Sequence, residues 1–145
     1  MTASPARLLV LCSSNGCLSQ MAEGYLRRFC GATAEVYSAG MEPLGVDLNA
    51  VRVMREDGVD IAHHTTNHLH EYSGLRFDHL IVLCDRVRDK FTLQPLSAAL
   101  HHYDLPDPAR AELPPDDLLH TFRAARDQVK AYCATFARLL AHAPA

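Results

Sequence analysis

Cys12 stands at the end of an apolar, β-rich run. After it come the small, mostly polar residues Ser13, Ser14, Asn15, Gly16 and Cys17, then helical spacing from Gln20 onward. A thiol at a strand-to-helix junction meets converging backbone N–H groups and the positive end of a helix dipole. There it is held as a thiolate and attacks as a nucleophile, with an oxyanion bound beside it. Asn15 tolerates a left-handed backbone, and Gly16 lets the main chain approach a ligand closely. Ser19 can donate to the Cys12 sulfur and favour its charged form. The competing reading makes Cys12 a small buried apolar residue, the usual fate of a free cysteine. Its junction position and polar flank favour an oxyanion-binding loop. Leu18, in the same loop, offers no charge with which to grip an anion.

Other residues of chemical capability lie further along. Cys84 ends the apolar run from His79, and its alternative is a strand-end core thiol. Cys30 and Cys133 fall on apolar helical faces and read as packing. Asp104 and Asp107 can each act as a general acid, or simply serve the turn that an aspartate near proline forms. The run His63-His64-Thr65-Thr66-Asn67-His68-Leu69-His70 invites a metal reading. No carboxylate or cysteine completes a set at ligand spacing, so the expectation is a surface helix with exposed imidazoles and no metal. Arg27, Arg28, Arg86 and Arg88 read as solvated, with Arg86 beside Cys84 the candidate to bring positive charge to the loop.

Positioning these groups is the task of the surrounding elements. Arg7 to Leu11 reads as a first buried strand, and Ala34 to Ser38 as a second, ended by Ala39-Gly40. His79 to Leu83 gives a third and Leu100 to Tyr103 a weaker fourth. Between them, Gln20 to Phe29 predicts a helix with Met21, Tyr25, Leu26 and Phe29 on one face and Ser19 as its cap. Asp47 to Glu56 predicts another, with Leu48, Val51 and Met54 on one face and Gly58 as its stop. A proline-rich turn from Asp104 to Pro115 leads to a long amphipathic helix, Asp116 to Ala141. Its Leu119, Phe122, Ala125, Val129, Cys133, Phe136 and Leu140 recur at intervals of three or four. Strand–helix alternation predicts an α/β fold: a doubly wound four-stranded parallel sheet with helices on both faces, residues 1–145 forming one domain. Ligands of such sheets bind beyond the carboxyl ends of the strands. Cys12, Cys84 and the Asp104–Asp107 loop converge on that rim.

Bulk composition narrows the function classes. The 145 residues suit a single domain, are 48% hydrophobic and 21% charged, and carry a net charge of −3 with nine histidines taken as neutral. No basic field points to nucleic acid or an acidic membrane surface. The apolar runs are too short to cross a bilayer, and Met1 to Arg7 is too polar to open a secretory signal. The expectation is a cytoplasmic protein. Five scattered cysteines without a CxxC pair argue for reduced thiols, against a disulfide framework and against a zinc ribbon or thioredoxin motif.

The ordered set of motifs resembles the low-molecular-weight protein tyrosine phosphatase superfamily and, within it, the thiol-dependent arsenate reductases. That family's loop is a cysteine, five residues, then arginine-serine; here it reads Cys12-Ser13-Ser14-Asn15-Gly16-Cys17-Leu18-Ser19 and continues as Gln20-Met21-Ala22-Glu23-Gly24. Tyr37-Ser38-Ala39-Gly40, Asn49-Ala50-Val51 and the run Val53 to Ile61 match its second strand and helix. Val82-Leu83-Cys84-Asp85 resembles the segment with a second redox cysteine, and Asp107-Pro108-Ala109 the late loop with the general-acid aspartate. The resemblance implies that Ser13 to Ser19 bind a small oxyanion, arsenate or phosphate, and that Cys12 attacks it while Asp107, rather than Asp104, protonates the leaving oxygen. It further implies that Cys84 attacks the modified Cys12 to leave a disulfide, with Cys17 a second candidate partner. No bound cofactor is implied, only an external thiol reductant, thioredoxin or a low-molecular-weight thiol. Two positions depart from the pattern. Leu18 replaces the arginine whose guanidinium grips a tetrahedral oxyanion bidentately, and Phe91 replaces the further cysteine common in thioredoxin-linked members. The functional readings are therefore an arsenate reductase, a phosphatase of the same chemistry, or a weakened pseudoenzyme that keeps an anion-binding or thiol-sensing loop.

Overall fold

The computed structural model describes residues 4–12, 16–41, 43–83 and 99–142. Ser13, Ser14, Asn15, Cys84, Arg86, Arg88 and Phe91 lie outside them. Strand β1 spans Ala6–Cys12, helix α1 Leu18–Cys30, β2 Ala34–Gly40, α2 Leu48–Glu56, β3 His79–Val82, β4 Ala99–His102 and α3 Pro115–Ala141. The four strands form one sheet in the order β2-β1-β3-β4, and all three pairings are parallel. This is the α/β doubly wound arrangement expected from the alternation of elements. β1 lies at its centre because Leu8, Leu9, Val10 and Leu11 are apolar on both faces, and each is buried.

Side chains alternate across the sheet, so Leu8, Val10, His79, Ile81 and His101 share one face. Helices α1 and α3 cover it. Phe136 of α3 meets the rings of His79 and His101 edge-on, and the Cys133 thiol lies 3.8 Å from the Ala22 carbonyl of α1. On the other face, Tyr37 packs edge-to-face against Tyr72 and Phe77, which brings the 3-10 turn Leu69–Tyr72 onto the sheet. Gly24 allows α1 to approach the segment after α2. A Cβ there would meet Val59 Cγ1 at 3.0 Å and Ile61 Cγ2 at 3.1 Å.

Three local expectations are corrected. Helix α1 begins two residues before Gln20, with Cys17 and not Ser19 at its N-cap; Ser19 is buried within the first turn. The buried face of α2 is Ala50, Val53 and Met54, while Leu48 is 83% exposed. Leu48 lies about 200° around the helix from Ala50, so of the expected face Met54 is buried and Val51 half-buried at its edge, and only Leu48 falls outside it. The histidine run forms no helix: His63 and His64 sit in a turn, and His68 caps the 3-10 turn by accepting from the His70 N–H. The end of α2 follows the expected chemistry. Gly58, at φ 76°, donates to the Arg55 carbonyl and Val59 to that of Met54, closing a Schellman motif that only a left-handed residue completes.

Candidate active site

The site forms at the carboxyl end of β1. Cys12 is the last residue of that strand, paired in register with Gly40 of β2, and is 2% exposed. The chain re-enters the described residues at Gly16, and Cys17 caps α1, its carbonyl accepting from Met21 N at 3.0 Å. Leu18 follows as the first helical residue and is fully buried. The Gly16 carbonyl accepts from the backbone N–H of Asp47 at 2.8 Å, which fixes the loop to the start of α2. Asp47 in turn caps α2, its carboxylate accepting from the N–H groups of Asn49 at 2.8 Å and Ala50 at 3.3 Å. On the far side, Asp107 caps the short turn Pro108–Arg110 and accepts from Ala109 N at 3.0 Å.

Electrostatics show that these pieces converge. Burial pushes the Cys17 thiol well above its ordinary range, and the charges of Asp107, Cys12 and Asp47 push it further. Cys17 is therefore a neutral thiol at physiological pH, within electrostatic reach of two carboxylates and a second sulfur. Asp104, by contrast, pairs with His102 Nε2 at 2.6 Å. Sequence reasoning took Asp47 only as the start of a helix. Its cap pattern was legible there, but its grip on Gly16 was not, because that contact joins segments about thirty residues apart in sequence. Removing the cap with Asp47→Ala is expected to cost about 1 kcal/mol, read as a fall in Tm, with thiol reactivity at Cys17 rising as the loop loses its flanking charge.

A second polar cluster lies behind the first turn of α1. His64 Nδ1 stands 2.9 Å from Gln20 Oε1 and 3.2 Å from Glu23 Oε2, while Ser38 Oγ donates to Glu23 Oε1 at 2.8 Å and Gln20 Nε2 to the Thr65 carbonyl at 3.0 Å. Both neighbours of Nδ1 are acceptors, so that nitrogen carries the proton. The His64 side chain is 8% exposed, a correction to the solvated imidazole expected from the histidine run; a buried glutamate about forty residues away in sequence gave no local sign of it. Burial lowers the His64 pKa below 6.5 despite the opposing pull of Glu23. The unfolded chain then binds the proton first as pH falls, so stability is fully present above pH 6.5 and lost below it. Acidification from about pH 7.5 to about pH 5.5 is expected to lower the Tm of the wild type more than that of His64→Gln. Among the described residues no group of three or more histidine, cysteine or acidic side chains is placed to hold a metal ion. Likewise, no described helix is long and apolar enough to cross a membrane.

A parallel sheet of this order, with a cysteine ending β1 at the mouth of α1, is the framework of a phosphatase-type cysteine loop. The chain belongs to the low molecular weight phosphotyrosine protein phosphatase family, whose model matches residues 7–144. It is 38% identical over 127 residues to the arsenate reductase of Shouchella clausii, covering 88% of this chain and 91% of that protein. It is 35% identical over 119 residues to the arsenate reductase of Bacillus subtilis, covering 82% and 86%. Among solved structures, an arsenate reductase in the phosphate binding state superposes with a TM-score of 0.77 at 27% identity, covering 93% of this chain and 98% of that one. The arginine phosphatase of Geobacillus stearothermophilus shares the fold, with a TM-score of 0.75 at 24% identity and coverage of 97% and 99%.

Proposed function

We propose that the protein reduces arsenate to arsenite. The observation that carries this reading is the placement of Cys12 at the carboxyl end of the central strand, with Cys12 and Asp107 each in electrostatic range of Cys17. Arsenate would settle on the N–H groups of Ser13 to Ser19, and the Cys12 thiolate would attack arsenic. Asp107 would give its proton to the departing oxygen, which leaves as water. A second thiol, Cys84 or an external one, then attacks the Cys12 sulfur. The sulfur–arsenic bond breaks with its electron pair going to arsenic, so As(V) becomes As(III) and the two thiols become a disulfide. With Phe91 where a further cysteine would relay that disulfide outward, a low-molecular-weight thiol suits the final reduction better than thioredoxin. Scattered cysteines without a CxxC pair support a cytoplasmic setting for this chemistry.

The burial of Leu18 at the first position of α1 favours one second reading: a pseudoenzyme whose loop keeps its thiols without turnover. Disulfide mapping separates the two. Reduced protein exposed to arsenate is expected to join Cys12 to Cys84, and protein exposed to buffer alone is not. Cys12 remaining free in both samples overturns the reductase reading.

A further inference from the structure

The C-terminal half of α3 and the strands β3 and β4 line a groove of about 310 Å³. On the helix side its lining is Tyr132, Thr135, Phe136, Leu139 and Leu140, which recur at helical spacing along one stripe of α3. On the sheet side it is His79 and His101, which share one face of β3 and β4. Among the described residues no lysine, arginine, aspartate or glutamate lines the groove. His79 pairs in register with Leu8, about 13 Å along β1 from Cys12, so the groove is separate from the oxyanion loop. The two histidines are in contact: His79 Nδ1 lies 2.9 Å from His101 Nε2. Burial and the neighbouring imidazole hold the His101 pKa below 6.5. In a neutral pair one of the facing nitrogens donates and the other accepts. Each neutral ring carries a single N–H, so the nitrogens left over, His79 Nε2 and His101 Nδ1, are one donor and one acceptor in either tautomer. Neither has a hydrogen-bond partner among the described residues. Apolar walls around a few unspent polar groups are the composition of a small-molecule site.

We propose that this groove binds an uncharged aromatic alcohol of about two fused rings, its ring system against Tyr132, Phe136 and Leu139 and its hydroxyl on a free nitrogen of the histidine pair. An ion entering the groove would lose hydration and meet no opposite charge, whereas a neutral molecule avoids that cost. Ring surface is already concentrated there. Phe136 stands edge-on to His79 and His101 at centroid distances of 5.4 and 5.0 Å, and Tyr132 stacks beside it at 6.3 Å, an environment that favours a further aromatic ring. Leu139 is 65% exposed and gains cover from an occupant. A hydroxyl both donates and accepts, so it suits whichever nitrogen the tautomer presents. A cavity of about 150 Å³ lined by apolar side chains holds benzene, and this groove offers about twice that volume. No bond forms or breaks, so the inference is independent of the chemistry at Cys12.

Titration of the full chain with 2-naphthol, followed by amide proton–nitrogen NMR spectra, tests it. Saturable shifts are expected at His79, His101, Thr135 and Leu139, with a dissociation constant of about 0.1 mM, in the range open to a ligand of about eleven non-hydrogen atoms. Excess 2-naphthol is expected to raise the Tm, since it binds only the folded chain. 2-Naphthoate, which carries a charge on the same ring system, is expected to bind about tenfold more weakly or worse. His101→Leu removes a free nitrogen and should weaken 2-naphthol about tenfold. Leu139→Ser changes an already exposed side chain, keeps the fold, and should weaken it about fivefold through lost apolar contact. The comparison of the two ligands on wild type needs no variant to fold. Absence of saturable shifts, shifts centred on Gly16 to Leu18 and Asp47, or 2-naphthoate binding as tightly as 2-naphthol overturns the proposal. So does undiminished binding by folded His101→Leu.

Discussion

Leu18→Arg is expected to raise the rate of p-nitrophenyl phosphate hydrolysis by roughly 100- to 1000-fold. The substitution adds a planar, permanently charged donor able to bind two oxygens of a tetrahedral anion at once. It does so at the first residue of α1, directly after the Cys17 cap. The same position is fully buried, and a guanidinium without a partner there would destabilise the fold. Partners are at hand, because the carboxylates of Asp47 and Asp107 already act on the neighbouring thiol. The new charge also opposes the influences that raise the Cys17 pKa, so that thiol should ionise more readily. Measurement of kcat and KM beside a melting curve separates the effects: a gain in kcat with a modest fall in Tm is the expected pattern. A variant that melts cooperatively but gains nothing shows that the loop does not bind tetrahedral oxyanions, which would remove both the reductase and the phosphatase readings together.

The scaffold was largely legible because its signals are local. Four apolar residues in succession mark β1 as a strand buried on both faces. In the last helix, Phe122, Ala125, Val129, Cys133 and Phe136 recur at helical spacing and are all buried there. The site was legible in part. Cys12 and Cys17 announce themselves by their junction with α1, and Asp107 by its place before Pro108. What stayed hidden depends on contacts between distant segments. The cap of α1 fell to Cys17 once the loop tied Gly16 to Asp47. Leu48 fits an apolar count but faces away from α1 and α3, since a helix of nine residues can be rotated by its neighbours with little change in its own pattern. His64 looked like one of several surface histidines until Gln20 and Glu23 enclosed it. No periodicity in a sequence records which imidazole a buried carboxylate will claim.

Cys12→Ser is expected to lower arsenite production from arsenate by at least about 10⁴-fold, to the level of protein-free controls. A serine hydroxyl has nearly the shape of the thiol but does not ionise near neutrality, and it cannot form the sulfur–sulfur bond that carries two electrons to arsenic. Position 12 is held by the register of β1 with Gly40 and by the Leu83 N–H donating to the Leu11 carbonyl at 3.0 Å. The substitution therefore leaves the strand intact, and the loss is one of chemistry. Cys17 does not take over, because burial, Asp107 and Asp47 keep it protonated and a neutral thiol is a poor nucleophile toward a pentavalent oxyanion. Cys17→Ala should accordingly retain arsenate turnover within about tenfold of wild type. A nucleophilic Cys12 next to a protonated Cys17 makes the pair of variants decisive. Activity that survives in Cys12→Ser and vanishes in Cys17→Ala reverses the assignment, and it would mean that the carboxylates at this rim activate the second thiol instead of silencing it.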